Sequence, residues 1–344
     1  MKNKIAFTFI LIFSAWLIIS LQNNKSNKKE WPAKIYNADS AHIEELQFLG
    51  KVLFYDPALS LDSSTSCSSC HSPYNAFAHT DHALSHGIDN KIGFRNAPAL
   101  FNLTYQPYFM WDGAINHLDM QSLAPITNPE EMHESIAHVV DKLNNQKFYR
   151  KLFYQAFDDS LISGTKTLKA IAAFMASIES KNAKYDLVLN GETEFKLQEK
   201  NGFELFSKHC ASCHAPPLFT NYAFESNGLM PDTALKDGGR IRQTKQTNDS
   251  LKFKVPTLRN IEFTFPYMHD GRYKTLTEVM NHYSNPAYKN PTLNPKLKSI
   301  YKLSSNEKVD IIAFLLTLSD KQFLFDKRYS YPKAKIDALR NFNQ

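Results

Sequence analysis

The sequence predicts a mainly α-helical protein with two similar halves in tandem and little β structure. Three observations predict this fold class. Apolar residues recur about every 3.6 positions in several segments, as on the buried face of a helix. Pro- and Asn-rich loops separate these segments, and few stretches alternate apolar with polar residues. A set of motifs also occurs twice along the 344 residues, a length that suits two domains of roughly 150 residues each.

Six segments carry the helical pattern. In one of them, Leu168, Ile171 and Met175 fall on the same face. The predicted helices are Ala41–Tyr55, Glu134–Phe157, Thr167–Leu189, Glu194–His209, Leu276–Tyr283 and Asn306–Leu318.

The composition is that of an ordinary globular protein, with 43% hydrophobic and 22% charged residues. Aromatic residues make up 13% of the chain, so large flat side chains are plentiful. The net charge of +6 is modest and dispersed, and no basic cluster is interleaved with aromatic residues. We therefore expect no nucleic-acid partner.

The N-terminal segment predicts export. Lys2 and Lys4 precede the apolar run Ile5–Leu21, and the polar stretch Gln22–Glu30 follows at once. A charged start before an apolar run is typical of a secretory signal. No small-x-small cleavage site follows, and the run approaches the ~20 residues that cross a bilayer. Residues 1–24 are therefore predicted to be either a signal peptide or an N-terminal membrane anchor, and residues 25–40 a linker.

All four cysteines lie in two CxxCH motifs, Cys67–His71 and Cys210–His214. An even number of cysteines in an exported chain usually indicates disulfides. The histidine after each pair favours haem attachment instead. Two thiols one helical turn apart can bond the vinyl groups of one haem, and the adjacent imidazole can bind its iron. A redox dithiol needs no such histidine, and a zinc site would need further close ligands.

We therefore predict two covalently bound haem c groups. The residues that would attach them are Cys67, Cys70, Cys210 and Cys213. The proximal iron ligands would be His71 and His214.

An internal repeat supports two haem-binding halves. Ala97–Asn102 (APALFN) is answered by Val255–Asn260 (VPTLRN), and Trp111-Asp112-Gly113 by His269-Asp270-Gly271. Both pairs are offset by 158 residues, whereas the CxxCH motifs are offset by 143. We predict haem domains over residues 41–190 and 191–325, with a C-terminal extension over 326–344.

These motifs resemble a known family. The two CxxCH motifs combined with RNAP, WDG, VPTLRN and YMHDG are similar to the bacterial di-haem cytochrome c peroxidases and their relatives. The relatives include the enzyme that matures the quinone cofactor of methylamine dehydrogenase. The resemblance runs from about His42 to Leu318. It implies two cytochrome-c-like haem domains in tandem and a periplasmic location, with anchoring to the inner membrane left open.

The resemblance also implies a division of labour. The N-terminal haem would react with hydrogen peroxide, and the C-terminal haem would receive electrons from a small donor protein, either a cytochrome c or a cupredoxin. His86 matches the labile distal ligand of the N-terminal haem. Gln121 and Glu131 match the pair of catalytic side chains in the peroxide pocket, and Trp111 matches an electron route between the haems.

A calcium ion is implied by the same resemblance. Asn96 matches a calcium ligand at the domain interface, with Thr264 and Pro266 as backbone donors, and hard oxygen donors suit this ion. The chain departs from the family at Ala114, where the family commonly has arginine after WDG.

The sixth ligand of the C-terminal haem is a second departure. Peroxidases of the family usually have Met at the position that is Tyr283 here, whereas the cofactor-maturing relatives have Tyr. Met280, almost one turn earlier, is the alternative ligand. Subtracting 158 from 283 gives Pro125, which has no ligating side-chain atom. The first haem would then have an open distal side, provided that no insertion breaks the register.

Structural alternatives exist for each of these residues. Glu131 could be a surface acid at a helix start, and Trp111 and Tyr283 could be core aromatics. His79 and His82 cluster with His86 along the chain, but no matching Cys or acids accompany them as metal ligands.

Three functions follow in order of preference. The first is a peroxidase that reduces hydrogen peroxide with electrons from the donor protein. The second is a high-valent di-haem oxidase acting on a protein or organic substrate, which Tyr283 favours. The third is a non-catalytic di-haem electron carrier. The sequence leaves open whether the chain forms a homodimer.

Overall fold

The structure, a computed structural model, describes residues 30–285, 289–300 and 302–341. The predicted signal peptide or anchor lies outside the described residues, as does the predicted linker as far as residue 29. Within the described ranges, no helix is both long and apolar enough to cross a bilayer.

The described chain is mainly helical, which confirms the predicted fold class. The helices of the first half are α1 (Ile43–Tyr55), α2 (Cys67–Cys70), α3 (Leu118–Gln121), α4 (Leu123–Thr127), α5 (Ile136–Asn144), α6 (Lys147–Phe157) and α7 (Gly164–Ser177). The later helices are α8 (Lys184–Leu189), α9 (Leu197–His209), α10 (Ile241–Thr244), α11 (Leu276–Ser284), α12 (Ser305–Leu316), α13 (Lys321–Leu324) and α14 (Lys333–Asn341).

Short elements complete the fold. Strand β1 (Phe224–Glu225) pairs antiparallel with β2 (Phe253–Lys254). Single 3-10 turns occur at Pro57–Leu59, Pro73–Asn75, Ile88–Asn90, Leu103–Tyr105, Thr247–Asp249 and Pro295–Ser299.

Two of the predicted helices are each divided in the structure. The helix predicted over Glu134–Phe157 is broken between α5 and α6, where Asn145, a poor helix former, caps α5 and Gln146 is extended. The helix predicted over Thr167–Leu189 ends at Ser177. Asn102 binds the chain beyond that point, because its N–H donates to the Ile178 carbonyl at 2.9 Å.

One helix crossing occurs in both halves. At Gly50 of α1, an added Cβ would lie 1.8 Å from the Ala170 carbonyl oxygen of α7. At Gly202 of α9, it would lie 1.9 Å from the Asp310 carbonyl oxygen of α12. Because no side chain fits at either point, glycine lets α1 meet α7, and α9 meet α12, backbone to backbone.

Replacing Gly202 by valine tests this crossing. The added side chain would enter the backbone of α12, so we expect destabilisation by about 1–3 kcal/mol or more. The measurement is the free energy of unfolding of the haem-loaded protein in guanidinium chloride. The control is Asn201→Ala at the exposed neighbour, which should change stability by less than about 0.5 kcal/mol. Equal stability of the two variants would contradict the crossing.

The two halves have separate hydrophobic cores. The first contains residues of α1, α5, α6 and α7, and the second contains residues of α8, α9, α11 and α12. Phe323 and Leu324, which the predicted boundaries place in the second domain, pack in the first core, as do Tyr329 and Ile336 of the predicted extension. The chain therefore returns to the first half at its C-terminal end, because these apolar side chains are buried there.

The described part of the predicted linker has no helix or strand, but it is packed. The N–H groups of Ile35 and Tyr36 both donate to the Thr104 carbonyl, at 2.8 and 3.1 Å. The Trp31 ring lies 4.5 Å from the Arg259 guanidinium of the second half. This segment therefore contacts both halves.

The motif repeat is also a structural repeat. Antiparallel bridges join Phe109 to Ile115 and Tyr267 to Tyr273, again 158 residues apart. Beyond them, α3 and α11 begin at Leu118 and Leu276 with the same offset. The constant register shows no insertion before these helices begin.

The repeated asparagines join the halves. Asn102 and Asn260 each donate a backbone N–H to the end of their own half's last long helix, at Ile178 and Leu318. The Asn260 side-chain amide then donates to Ser180 Oγ of the first half at 2.9 Å. These bonds are buried and hold the two halves in a fixed arrangement.

Candidate haem sites

The histidines of both CxxCH motifs are held by backbone carbonyls. His71 Nδ1 lies 2.9 Å from the Phe77 oxygen, and His214 Nδ1 lies 3.2 Å from the Phe219 oxygen. Burial lowers the pKa of both imidazoles to about 4, so each is neutral and donates through Nδ1. This leaves Nε2 free to bind a metal, as in metal sites where the other ring nitrogen donates to a carbonyl.

The two phenylalanines were missed at the sequence level. Phe77 and Phe219 adopt left-handed backbone conformations, with φ of 57° and 54°. A bulky residue rarely adopts this conformation, and here it turns the carbonyl towards the histidine. Their similar spacing after each CxxCH motif was the only available signal.

The thiols fit thioether attachment better than redox or zinc chemistry. Burial raises the pKa of Cys67 and Cys210 to about 12, so both remain protonated at neutral pH. A redox dithiol usually needs a lowered thiol pKa, and a zinc site would need further ligands beside the pair. Among the described residues, no group of three or more His, Cys, Asp or Glu could hold a metal ion. The donor set of each motif therefore fits a c-type haem.

A large cavity lies against the second motif and reaches into the first half. Cys210, Cys213 and His214 lie on its wall. The repeat segments Ala97–Leu100 and Val255–Leu258 both line it. The matched motifs of the two halves therefore face one shared space.

The structure places both candidate sixth ligands of the second haem on this wall. Tyr283 and Met280 line the same cavity as His214. Burial raises the pKa of Tyr283 to about 12, which a bound ferric ion would oppose. Met280 belongs to the second hydrophobic core, where it is 5% exposed. Both side chains therefore border the cavity of the second motif, and Tyr283 stays the predicted ligand.

The first motif has a carboxylate beside it. Glu131 lies close enough to Cys67 and Cys70 for its charge to raise the pKa of both thiols. The backbone of Gly87 packs closely against that of Glu131, because a Cβ added at Gly87 would lie 2.4 Å from the Glu131 carbonyl oxygen. Glycine therefore lets Glu131 lie this near to the first motif. His86, the residue before Gly87, has its carbonyl 3.5 Å from Cys70 Sγ. The structure thus brings His86 and Glu131 to the same motif.

Burial governs the Glu131 carboxyl. It raises the pKa of Glu131, the adjacent Glu130 adds to this effect, and a hydrogen bond with Asn128 opposes it. Glu130 itself is exposed. The two neighbouring acids therefore differ in surroundings, and only Glu131 has the setting of an acid–base catalyst.

Three imidazoles cluster beside this site. The His82 and His86 rings are stacked at 4.1 Å with 28° between their planes, and the His79 ring meets that of His82 edge-on at 5.4 Å. His79 is buried, and its Nδ1 has no hydrogen-bond partner among the described residues. The cluster predicted along the chain is therefore also a cluster in space.

Trp111 lies at the junction of the halves. Its indole N–H donates to the Asn96 carbonyl at 2.8 Å, and its own carbonyl accepts from the Lys254 N–H at 2.7 Å. Trp111 and Gln121 both line the shared cavity. Gln121 is buried and its amide faces Met110 Sδ at 3.9 Å. The place of Trp111 at the junction fits an electron route, whereas the cavity that Gln121 lines borders the second CxxCH motif, so the role of Gln121 beside the first haem stays a prediction.

The proposed calcium donors border one cavity. Asn96, Thr264 and Pro266 line the shared cavity. They offer neutral oxygens, which calcium accepts, but calcium takes 6–8 ligands and three residues supply only part of that set. The calcium ion stays a prediction.

An arginine from another segment compensates for Ala114. In the second half, Arg272 pairs with Asp270 of HDG. In the first half, the WDG aspartate, Asp112, pairs instead with Arg95 Nη1 at 2.9 Å. Arg95 also forms a two-pronged pair with Asp237 of the second half, at 2.7 and 2.8 Å. It therefore holds the Trp111 turn against the second half.

Arg95→Leu is expected to cost about 3–5 kcal/mol of stability. Two buried carboxylates would lose their counter-charge, which is the costly way to break a buried ion pair. The control is Arg328→Leu, which breaks an exposed pair with Asp326 and should cost at most about 1 kcal/mol. Urea unfolding of both variants measures the difference. A cost for Arg95→Leu no larger than the control would refute this role.

The chain is similar to a known protein family and to several of its members. The sequence model of the di-haem cytochrome c peroxidase family matches residues 44–194. Methylamine utilization protein MauG of Methylorubrum extorquens is 35% identical over 78% of this chain and 77% of its own length. Cytochrome c551 peroxidase of Nitrosomonas europaea is 32% identical over 86% of each chain.

A solved structure has the same fold. The crystal structure of a MauG-like protein associated with microbial copper homeostasis superposes with a TM-score of 0.79 and 30% identity. The superposition covers 90% of this chain and 99% of the MauG-like protein. Family membership supports two haem c groups, which the two CxxCH sites would hold. With its paired haem-binding motifs, repeated fold and extended similarity, the chain belongs to the di-haem cytochrome c peroxidase family.

Proposed function

We propose that this protein is an exported, periplasmic di-haem peroxidase that reduces hydrogen peroxide to water. The reaction consumes two electrons and two protons for each peroxide and yields two water molecules. Electrons come from a small redox protein, a cytochrome c or a cupredoxin. When bound, the haem groups supply the iron centre for peroxide and the capacity to hold electrons.

The observation that carries this proposal is Glu131 beside the first CxxCH motif. Its carboxyl has a raised pKa because of burial, so it can take a proton from one peroxide oxygen and return it to the other. Gln121, the other predicted pocket residue, supplies a neutral amide that can orient peroxide. His86 is the predicted labile ligand that would leave the iron of the first haem and open that site to peroxide.

The asymmetry of the repeat supports the division between the sites. The 158-residue register holds through the starts of α3 and α11, so Pro125 is the sequence counterpart of Tyr283. Proline offers no ligand, whereas the Tyr283 phenol lies in the cavity of the second motif. Peroxide would therefore react at the first site, and electrons would enter at the second.

Trp111 is the proposed electron route. It is hydrogen-bonded to both halves at their junction and lines the shared cavity. Arg95 positions it through Asp112.

A second candidate is an oxidase that uses peroxide to oxidise a protein or organic substrate. Tyr283 favours it, because an anionic oxygen ligand stabilises the more oxidised iron states relative to a thioether. The similarity to two methylamine utilization proteins, 35% and 32% identical, also favours it.

Steady-state peroxide consumption with a reduced small cytochrome c, and then with a reduced cupredoxin, distinguishes the candidates. Rapid turnover with either donor supports the peroxidase. Near-infrared absorbance that appears with peroxide, without turnover, supports the oxidase. If neither occurs, the chain is an electron carrier and the proposal is wrong.

A further inference from the structure

Lys254 is a partly buried cation that the proposed reaction does not use. It lies on β2 and lines the shared cavity. Its Nζ donates to the Gln106 side-chain oxygen of the first half at 3.0 Å. Burial alone lowers its pKa to about 8, and no charge among the described residues contributes to the shift. The ammonium thus has a neutral hydrogen-bond partner and forms no ion pair with a described residue, although Glu225 of β1 lines the same cavity.

The internal repeat relates Lys254 to a residue of the first half. Lys254 is the counterpart of Asn96, 158 residues away. Asn96 donates its N–H to the His269 carbonyl at 2.7 Å, and Lys254 donates its N–H to the Trp111 carbonyl at 2.7 Å. The two residues therefore exchange equivalent hydrogen bonds across the junction. One side has a neutral amide, and the other has a cation.

A partly buried cation on a cavity wall favours an anionic partner. Holding an ammonium away from water is costly unless it is paired and hydrogen-bonded. Haem carries two propionate carboxylates, which need a counter-charge when they are buried. Lys296 also lines the cavity, but it is exposed, whereas Lys254 lies at the junction.

We propose that the Lys254 ammonium pairs with a propionate carboxylate of the haem held by Cys210, Cys213 and His214. This inference rests on the proposed attachment of that haem to the second motif. The pair would fix one edge of the haem against the first half through Gln106. Its positive charge would also favour the ferrous state of that iron, because ferrous haem carries one positive charge fewer than ferric haem.

Potentiometric titration of the purified holoprotein tests the proposal, with each haem followed by its own absorbance change. Lys254→Gln should shift the midpoint potential of the second haem negative by about 59 mV, a tenfold change in the one-electron equilibrium. The first haem should move less. Lys254→Arg should restore most of the potential, because the charge is kept.

Lys252→Gln is the matched control. Lys252 lies two residues earlier and pairs with Asp249 at 3.7 Å. This variant removes the same charge away from the cavity, so neither potential should change. The proposal is wrong if Lys254→Gln leaves the second potential unchanged, or if the control shifts it equally.

Haem content separates loss of function from loss of assembly. A pyridine haemochrome assay counts haems in every variant. If Lys254→Gln fails to keep the second haem, the haem content of Lys254→Arg decides the question. Retention of the second haem by Lys254→Arg supports the proposed charge pair, and its loss contradicts the pair. Failure of the proposed peroxidase activity would appear as absent turnover in the unmodified protein, and the titration would still report both potentials.

Discussion

Replacement of Glu131 by glutamine is expected to lower kcat for peroxide reduction by about 10²–10⁴, the contribution of a well-placed general acid–base group. Glutamine keeps the size of the side chain but cannot carry the proton between the peroxide oxygens. Burial raises the pKa of Glu131, so wild-type activity should fall as the pH drops through a value above that of an ordinary carboxyl. Stopped-flow and steady-state assays with a reduced cytochrome c measure the effect.

Glu130→Gln is the control for this experiment. It removes the same charge at the adjacent exposed position and should leave kcat within about twofold of wild type, since general acid–base effects need direct reach to the reacting atoms. Both variants must first have two haems by absorbance. Equal losses in the two variants, or wild-type kcat in Glu131→Gln, would remove Glu131 from the catalytic set.

Tyr283→Met is expected to raise the potential of the second haem by about 0.1 V or more, within the roughly 0.8 V that axial ligands span. A thioether favours ferrous iron, whereas a phenolate oxygen favours ferric iron. Tyr283 lines the cavity of His214, so the exchange acts on that haem alone. Spectroelectrochemical titration resolves the two potentials.

Met280→Leu is the companion variant, because Met280 lines the same cavity three residues earlier. With Tyr283 as the ligand, this variant keeps both potentials. If Met280→Leu moved the second potential and Tyr283→Phe did not, the ligand would be Met280.

Part of the site could be predicted because its residues lie close together in the sequence. Each CxxCH motif holds its thiols and imidazole within five residues, and a fixed 158-residue offset reveals the repeat. Helix pattern located α1 and α9 to within a few residues. Local spacing and periodicity are therefore enough for the haem motifs and the fold class.

The remaining features depend on contacts between distant segments. Arg95 meets Asp237 across 142 residues, and nothing near either residue indicates the pair. The approach of Gly87 to Glu131 places the carboxyl, yet the glycine alone predicts only a turn. The docking of Tyr329 and Ile336 on the first core likewise needs the folded chain. Tertiary packing decides these positions, and a periodic pattern does not contain that information.

The central claim is that two haem sites of one fold have different distal ligands. Electron paramagnetic resonance of the ferric protein tests it most directly, with His86→Ala and Tyr283→Phe compared with wild type. We expect two haem signals, with His86→Ala changing one and Tyr283→Phe changing the other. Two variants that altered the same signal, or left both signals as in wild type, would contradict the claim.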